Sequence, residues 1–178
     1  MQLHQNASVS IVIPVYNEAD QLAACLRAIA DQTSKPLEVI VVDNNSTDGS
    51  AAIAAGFPFV RVLSEPRQGV VHARNRGFDA ARGDIIGRID ADSLIAPNWV
   101  ATLDELFTDP SLSLVTGKMH YYGLSLSWLI DAVDLRIRRR MARLLGREVA
   151  AQGANMALRR SSWQDVRDHL CFAGGLHE

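Results

Sequence analysis

Two aspartates, Asp90 and Asp92, stand in the stretch RIDADS just after an apolar run, with one residue between them. Carboxylates are hard oxygen donors. A magnesium or manganese ion typically takes one or two of them and completes its shell with water and phosphate oxygens, so this sparse pair suits a metal-bridged diphosphate. A solvated turn is the bland alternative, because aspartate is common in loops. Other polar residues fall at comparable places: Tyr16 and Glu18 follow the first apolar run, and Asp43 opens the cluster DNNSTDG after the second. His72, His120 and His169 show no metal-ligand spacing.

The elements needed to hold these residues are readable from hydrophobic patterning. Val9 to Val15 is a β-branched run without polar alternation, as in a strand buried on both faces of a parallel sheet. Leu22, Leu26 and Ile29 recur at helical spacing, with Cys25 beside them as a core residue rather than a nucleophile. Strands are then expected at 37–42, 60–63 and 84–89, and helices at 51–55 and 69–81. This alternation predicts an α/β fold: a doubly wound, mostly parallel sheet with helices on both faces. Ligands bind such sheets beyond the carboxyl ends of the strands, where Tyr16, Asp43 and Asp90 all fall.

After Asp92 the pattern changes. Pro97, Asn98 and Trp99 open a helix carrying Val100, Leu103 and Leu106, a strand is expected at 112–115, and Ala154, Met156 and Leu158 alternate as in an edge strand. Between them, Leu126, Leu129, Ile130, Val133, Ile137, Met141 and Leu144 form one apolar stripe, with Arg136, Arg139, Arg140, Arg143 and Arg147 largely off it. Such a helix suits either packing on the sheet or lying along an anionic surface, a membrane or a polyprenyl phosphate.

Bulk properties narrow the classes. An apolar fraction of 48% with 21% charged residues excludes disorder, and 178 residues make one domain. A net charge of -2 argues against nucleic acid as a partner. Cys25 and Cys171 lie far apart and read as reduced thiols of a cytoplasmic protein, with peripheral contact at the inner face of the membrane through the arginine-flanked stripe. No run reaches the roughly 20 apolar residues of a membrane span.

Four segments occur in order: VSIVIPVYNEAD, VIVVDNNSTDGS, GVVHARNRGFDAARGDIIGRIDADS and GANMALRRS. Together they resemble the family 2 glycosyltransferases of the GT-A fold, over nearly the whole chain. The resemblance implies a donor-binding half over about 1–95 and an acceptor-side half over about 96–178 of a single domain. It implies a nucleotide-diphosphate sugar as donor, a UDP-sugar foremost, and a glycan, lipid or polyprenyl-phosphate acceptor. Pro14, Val15, Tyr16 and Glu18 would cradle base and ribose, which an aromatic ring and a carboxylate can do. Asp43 would accept from the base N–H, and Arg74 would hold phosphate or a base edge. Asp90 would contact ribose or Mn2+ or Mg2+, and Asp92 would ligate the metal directly. Asn44, Asn45, Ser46, Asp48 and Gly49 read as a capped turn first and as ligand contacts second. Gly153, Asn155 and Arg159 would line the acceptor side, with solvated arginines on an edge strand as the alternative.

The implied reaction is a single displacement, normally inverting, in which a base deprotonates the acceptor hydroxyl while a metal offsets charge on the departing diphosphate. The family's base is the aspartate of a Glu-Asp type motif beyond the GxN segment. His177 and Glu178 occupy the expected start of that motif, so Glu178 is the candidate base, and the expectation for this chain is nucleotide binding with weak transfer. Two other readings stay open. One is a nucleotide-sugar-binding module without efficient transfer. The other is a nucleotidyltransferase, although PVYNEAD replaces the glycine- and lysine-rich loop expected there, and no GxGxxG supports a dehydrogenase.

Overall fold

A computed structural model describes residues 8–117 and 154–169. Its strands are β1 (Val9–Val15), β2 (Glu38–Asp43), β3 (Val60–Ser64), β4 (Ile85–Ile89), β5 (Leu114–Thr116) and β6 (Asn155–Arg159). The helices are α1 (Ala19–Ala30), α2 (Ser50–Ala55), α3 (Val70–Ala80), α4 (Trp99–Leu106) and α5 (Arg160–Val166). The expected fold class is observed, with element ends moved by one or two residues.

The strands form one sheet in the order β3-β2-β1-β4-β6-β5. β1 pairs parallel with both β2 and β4, and β2 pairs parallel with β3. Ile11, Ile13, Val39, Val41, Ile85 and Ile89 face one apolar layer with Leu22, Leu26 and Ile29 of α1 and Val100 and Leu103 of α4. Val12, Ile40, Val42 and Ile86 face the other, with Ala73 and Phe78 of α3 and Trp163 of α5. Each such Val, Leu or Ile side chain contributes about 1.5–3 kcal/mol by leaving water. This double covering is why β1, β2 and β4 lack polar alternation. α3 lies so close that a Cβ on Gly77 would stand 2.3 Å from Val12 Cγ1, leaving no room for another residue.

Two expectations are corrected. β6 is not an edge strand but lies between β4 and β5, antiparallel to both; its alternation reflects one face toward α4 and one toward Trp163. β5 starts at Leu114 instead of Leu112, because Leu112 N donates to Asp109 O at 3.2 Å and Asp109 Oδ1 accepts from Ser111 N at 2.9 Å, folding 109–112 into a turn. Antiparallel β6 brings its first residue, Asn155, opposite Ile89, on the edge where β1, β2 and β4 end. The arginine-flanked stripe at 126–147, Gly153, Cys171 and Glu178 lie outside the described residues. Among the described residues no helix is long and apolar enough to cross a membrane.

Candidate functional site

β1 lies between β2 and β4, so chain connections leave it to opposite sides and a crevice opens beyond the strand ends. Pro14, Val15 and Tyr16 reach this crevice from the end of β1, and Glu18 from the turn into α1. Asp90 and Asp92 reach it from the end of β4. They line one cavity of about 330 Å³, whose remaining wall includes Asn44, Gln68, Val70, Ala73 and Arg88. A turn brings the aspartates together, closed by Ser93 N donating to Asp90 O at 3.0 Å. Cys25 Sγ approaches the same carbonyl at 3.7 Å from within the core. Burial, then the charges of Asp92 and Asp90, push this thiol up to about 12, so it is a protonated core residue as expected.

The crevice is acidic. The Glu18 carboxyl is raised above its usual value, first by burial and then by the charges of Asp92, Asp48 and Asp90. Like charges held this close are costly until a cation comes between them. Asp92 is exposed, and Asp90 is partly open at 39% side-chain exposure. Among the described residues no group of three or more His, Cys, Asp or Glu side chains is arranged to hold a metal. Two carboxylates beside an open cavity fit Mn2+ or Mg2+, whose other positions go to water and phosphate oxygens.

Asparagines build the opposite rim. Buried Asn44 donates through Nδ2 to Glu65 O at 2.8 Å and Arg67 O at 2.7 Å, and its Oδ1 accepts from Gly69 N at 2.7 Å. This fixes the segment leading into α3, which carries Gln68 and Val70 to the cavity. Asn45, in the left-handed region at φ 66, donates to Pro66 O at 3.0 Å and Gln68 Oε1 at 3.1 Å. Asn17, at φ 55, takes Thr47 N on its Oδ1 at 2.8 Å. Asp48 caps two helices, accepting from Ala19 N at 2.9 Å and Ser50 N at 3.0 Å. Its pKa is lowered, chiefly by the Ser50 hydroxyl. The cluster after β2 is thus largely structural, except that Asn44 also lines the cavity.

The remaining site expectations land elsewhere. Asp43 stands half-buried at the end of β2, accepting from Ser46 N at 3.3 Å, and is not among the lining residues. Arg74 Nε donates to Asn75 Oδ1 at 3.0 Å, outside the cavity wall, while Arg76 is exposed. Asn155 sits at the right edge of the sheet, but its Oδ1 accepts from Trp99 Nε1 at 2.9 Å. That indole packs against Gly87, where a Cβ would come within 2.5 Å of its Cη2. Arg159 donates to Leu112 O at 2.8 Å, Phe107 O at 2.9 Å and Asp109 O at 2.8 Å, and sits 5.2 Å from the Phe107 ring centroid. It ties down the end of α4.

Arg88 and Asn44 are cavity residues to which sequence reasoning assigned no ligand role of the first rank. For Arg88 a signal existed: a lone charge inside the otherwise apolar strand IIGRI. A larger cavity of about 830 Å³ lies beside α3 and α5. Its charges are largely matched internally, Arg67 with Glu65 at 2.9 Å and Arg167 with Asp79 at 3.5 Å, and neither Asp90 nor Asp92 lines it. Chemistry, not size, therefore selects the smaller one.

The family model described as Glycosyl transferase family 2 matches residues 10–167. Glycosyltransferase AglE of Haloferax volcanii is 28% identical over 179 residues, covering 95% of this chain and 59% of that protein. Among solved structures, a mannosyltransferase from Pyrobaculum calidifontis in complex with GDP-Man and Mn2+ superposes with a TM-score of 0.68 at 26% identity, covering 90% of this chain and 47% of that one. Glucosyl-3-phosphoglycerate synthase from Mycobacterium tuberculosis, in complex with Mn2+, UDP and phosphoglyceric acid, gives a TM-score of 0.66 at 25% identity, over 87% of this chain and 56% of that one. The chain thus spans about half the length of the relatives it matches.

Proposed function

The chain belongs to glycosyl transferase family 2, and on that premise we propose that it binds a nucleotide-diphosphate sugar at the β1/β4 crevice for metal-dependent, inverting transfer to an acceptor hydroxyl. One observation carries this reading: Glu18, Asp90 and Asp92 converge on a single cavity at the switch point of the sheet. Tyr16, 52% exposed, offers a face on which a base can stack. Glu18, which lines the same cavity, would accept from ribose hydroxyls. Asp90 and Asp92 would hold Mn2+ or Mg2+, which would supply positive charge to a leaving diphosphate. The similar structures solved in complex with GDP-Man and Mn2+ or with UDP and Mn2+ support this donor class.

The acceptor is proposed to be a glycan, lipid or polyprenyl-phosphate hydroxyl, the last because six arginines accompany the apolar stripe of 126–147. Glu178 is proposed as the base that takes the hydroxyl proton. A donor-hydrolysis and transfer screen with UDP-, GDP- and dTDP-sugars, with and without Mn2+, tests the reading. Turnover of one donor class only when Mn2+ is present supports it, and Glu178→Gln should then lower transfer by about 10²–10⁴-fold while leaving nucleotide binding intact. Nucleotidyl transfer to a sugar phosphate in place of sugar transfer would overturn it.

A further inference from the structure

Arg88 lies on β4 with only 6% side-chain exposure, yet it lines the cavity. Its NH2 donates to Asp90 Oδ1 at 3.1 Å. Its Nε is also buried and has no acceptor among the described residues. An arginine stays charged in a protein, and a buried donor without an acceptor is uncommon enough in native structures to need a cause. Pairing with Asp90 accounts for the NH2 group and leaves Nε unexplained.

The fold does not ask for a cation at this position. The neighbouring strand residues Ile85, Ile86 and Ile89 are fully buried and apolar, and an aliphatic side chain at 88 would continue that pattern. Nor is Arg88 one of several cations: it is the only Lys or Arg among the described residues lining the cavity, where three carboxylates stand. A rigid guanidinium fork holding a carboxylate with one group and presenting another N–H is suited to an anionic or hydroxyl oxygen.

We propose that Arg88 is a donor-binding residue whose guanidinium takes an oxygen of the bound nucleotide at the cavity wall while its NH2 holds Asp90 in place. The inference rests on the nucleotide-binding reading above. The oxygen belongs to either ribose or diphosphate, chemistry that the same fork accepts.

Calorimetric titration of UDP and of uridine, each with Mn2+, into wild type, Arg88→Lys and Arg88→Met is the test. Lysine keeps a cation beside Asp90 but lacks the second fixed donor. UDP affinity is expected to fall about 10- to 100-fold in both variants, the loss of one charge-assisted hydrogen bond. Uridine affinity falls in parallel if the oxygen is a ribose hydroxyl and is unchanged if it belongs to the diphosphate. Wild-type UDP affinity in Arg88→Lys overturns the proposal and leaves Arg88 as a partner of Asp90 alone. A second measurement follows the wild type directly: the arginine Nε–H resonance that a folded Arg88→Lys lacks must shift when UDP is added. An unshifted resonance in UDP-bound protein overturns the inference alone, whereas a wild type that binds no nucleotide overturns the underlying reading as well.

Discussion

Glu18 shows how the crevice couples charge to binding. Burial, then Asp92, Asp48 and Asp90, raise its folded pKa above 4.5, so the folded protein holds this proton more tightly than the unfolded chain does. The resulting stability is present below the ordinary carboxylate value and is lost as pH rises through the raised one. At neutral pH the ionised group therefore works against the unliganded fold. Glu18→Gln should melt higher than wild type at about pH 7 and with it at about pH 4. Mn2+ should stabilise wild type more than the variant, since the cation relieves a repulsion that the amide lacks. An equal melting difference at both pH values would mean that Glu18 does not feel its neighbours. Tyr16, Glu18, Asp90 and Asp92 were legible as residues that share the crevice because they follow apolar runs. Asp43 also follows an apolar run yet is not among the cavity-lining residues, whereas Arg74, Asn155 and Arg159 were named by position in a motif, and position does not reveal that a guanidinium is already held by three carbonyls.

At the scale of elements, β2 links two polar assemblies with different tasks. At its start, buried Glu38 accepts from Ser10 Oγ at 2.9 Å and Arg82 N at 2.7 Å and pairs with Arg61 at 3.3 Å. Beyond its end, Asn44 holds the segment that carries Gln68 to the cavity. Removing either side chain leaves buried groups without partners, a cost of about 1–3 kcal/mol. Glu38→Ala and Asn44→Ala should therefore lose comparable stability in urea unfolding. Only Asn44→Ala should also weaken nucleotide binding, because Glu38 sits at the opposite edge of the sheet. Equal nucleotide affinity in the two variants would contradict the role given to the Asn44 rim. Neither assembly was visible in the sequence: hydrophobic period marks strands and helices, whereas these bonds join residues at least 21 positions apart. The edge reading of β6 failed similarly, since alternation reports two unlike faces and not whether both edges are paired.

Across the described residues the molecule is a two-faced sheet whose parallel strands gather their carboxyl ends at one edge, with β6 entering from the opposite direction. This much was legible because β1, β2 and β4 are buried on both faces and must read as continuous apolar runs. The net charge of -2 understates the acidity of that edge, where the described residues set three carboxylates, Glu18, Asp90 and Asp92, against Arg88 alone. An anionic diphosphate approaching Glu18, Asp90 and Asp92 meets like charge, so nucleotide binding there should need a divalent cation. The decisive measurement is calorimetric titration of UDP and GDP into the protein in Mn2+, in chelator, and into Asp92→Asn in Mn2+. Binding of at least one nucleotide in Mn2+ is expected, weakened by about tenfold or more, ~1.4 kcal/mol, in chelator and in the variant. Equal affinity under all three conditions, or no binding of either nucleotide in Mn2+, would contradict a metal-bridged donor site at this edge.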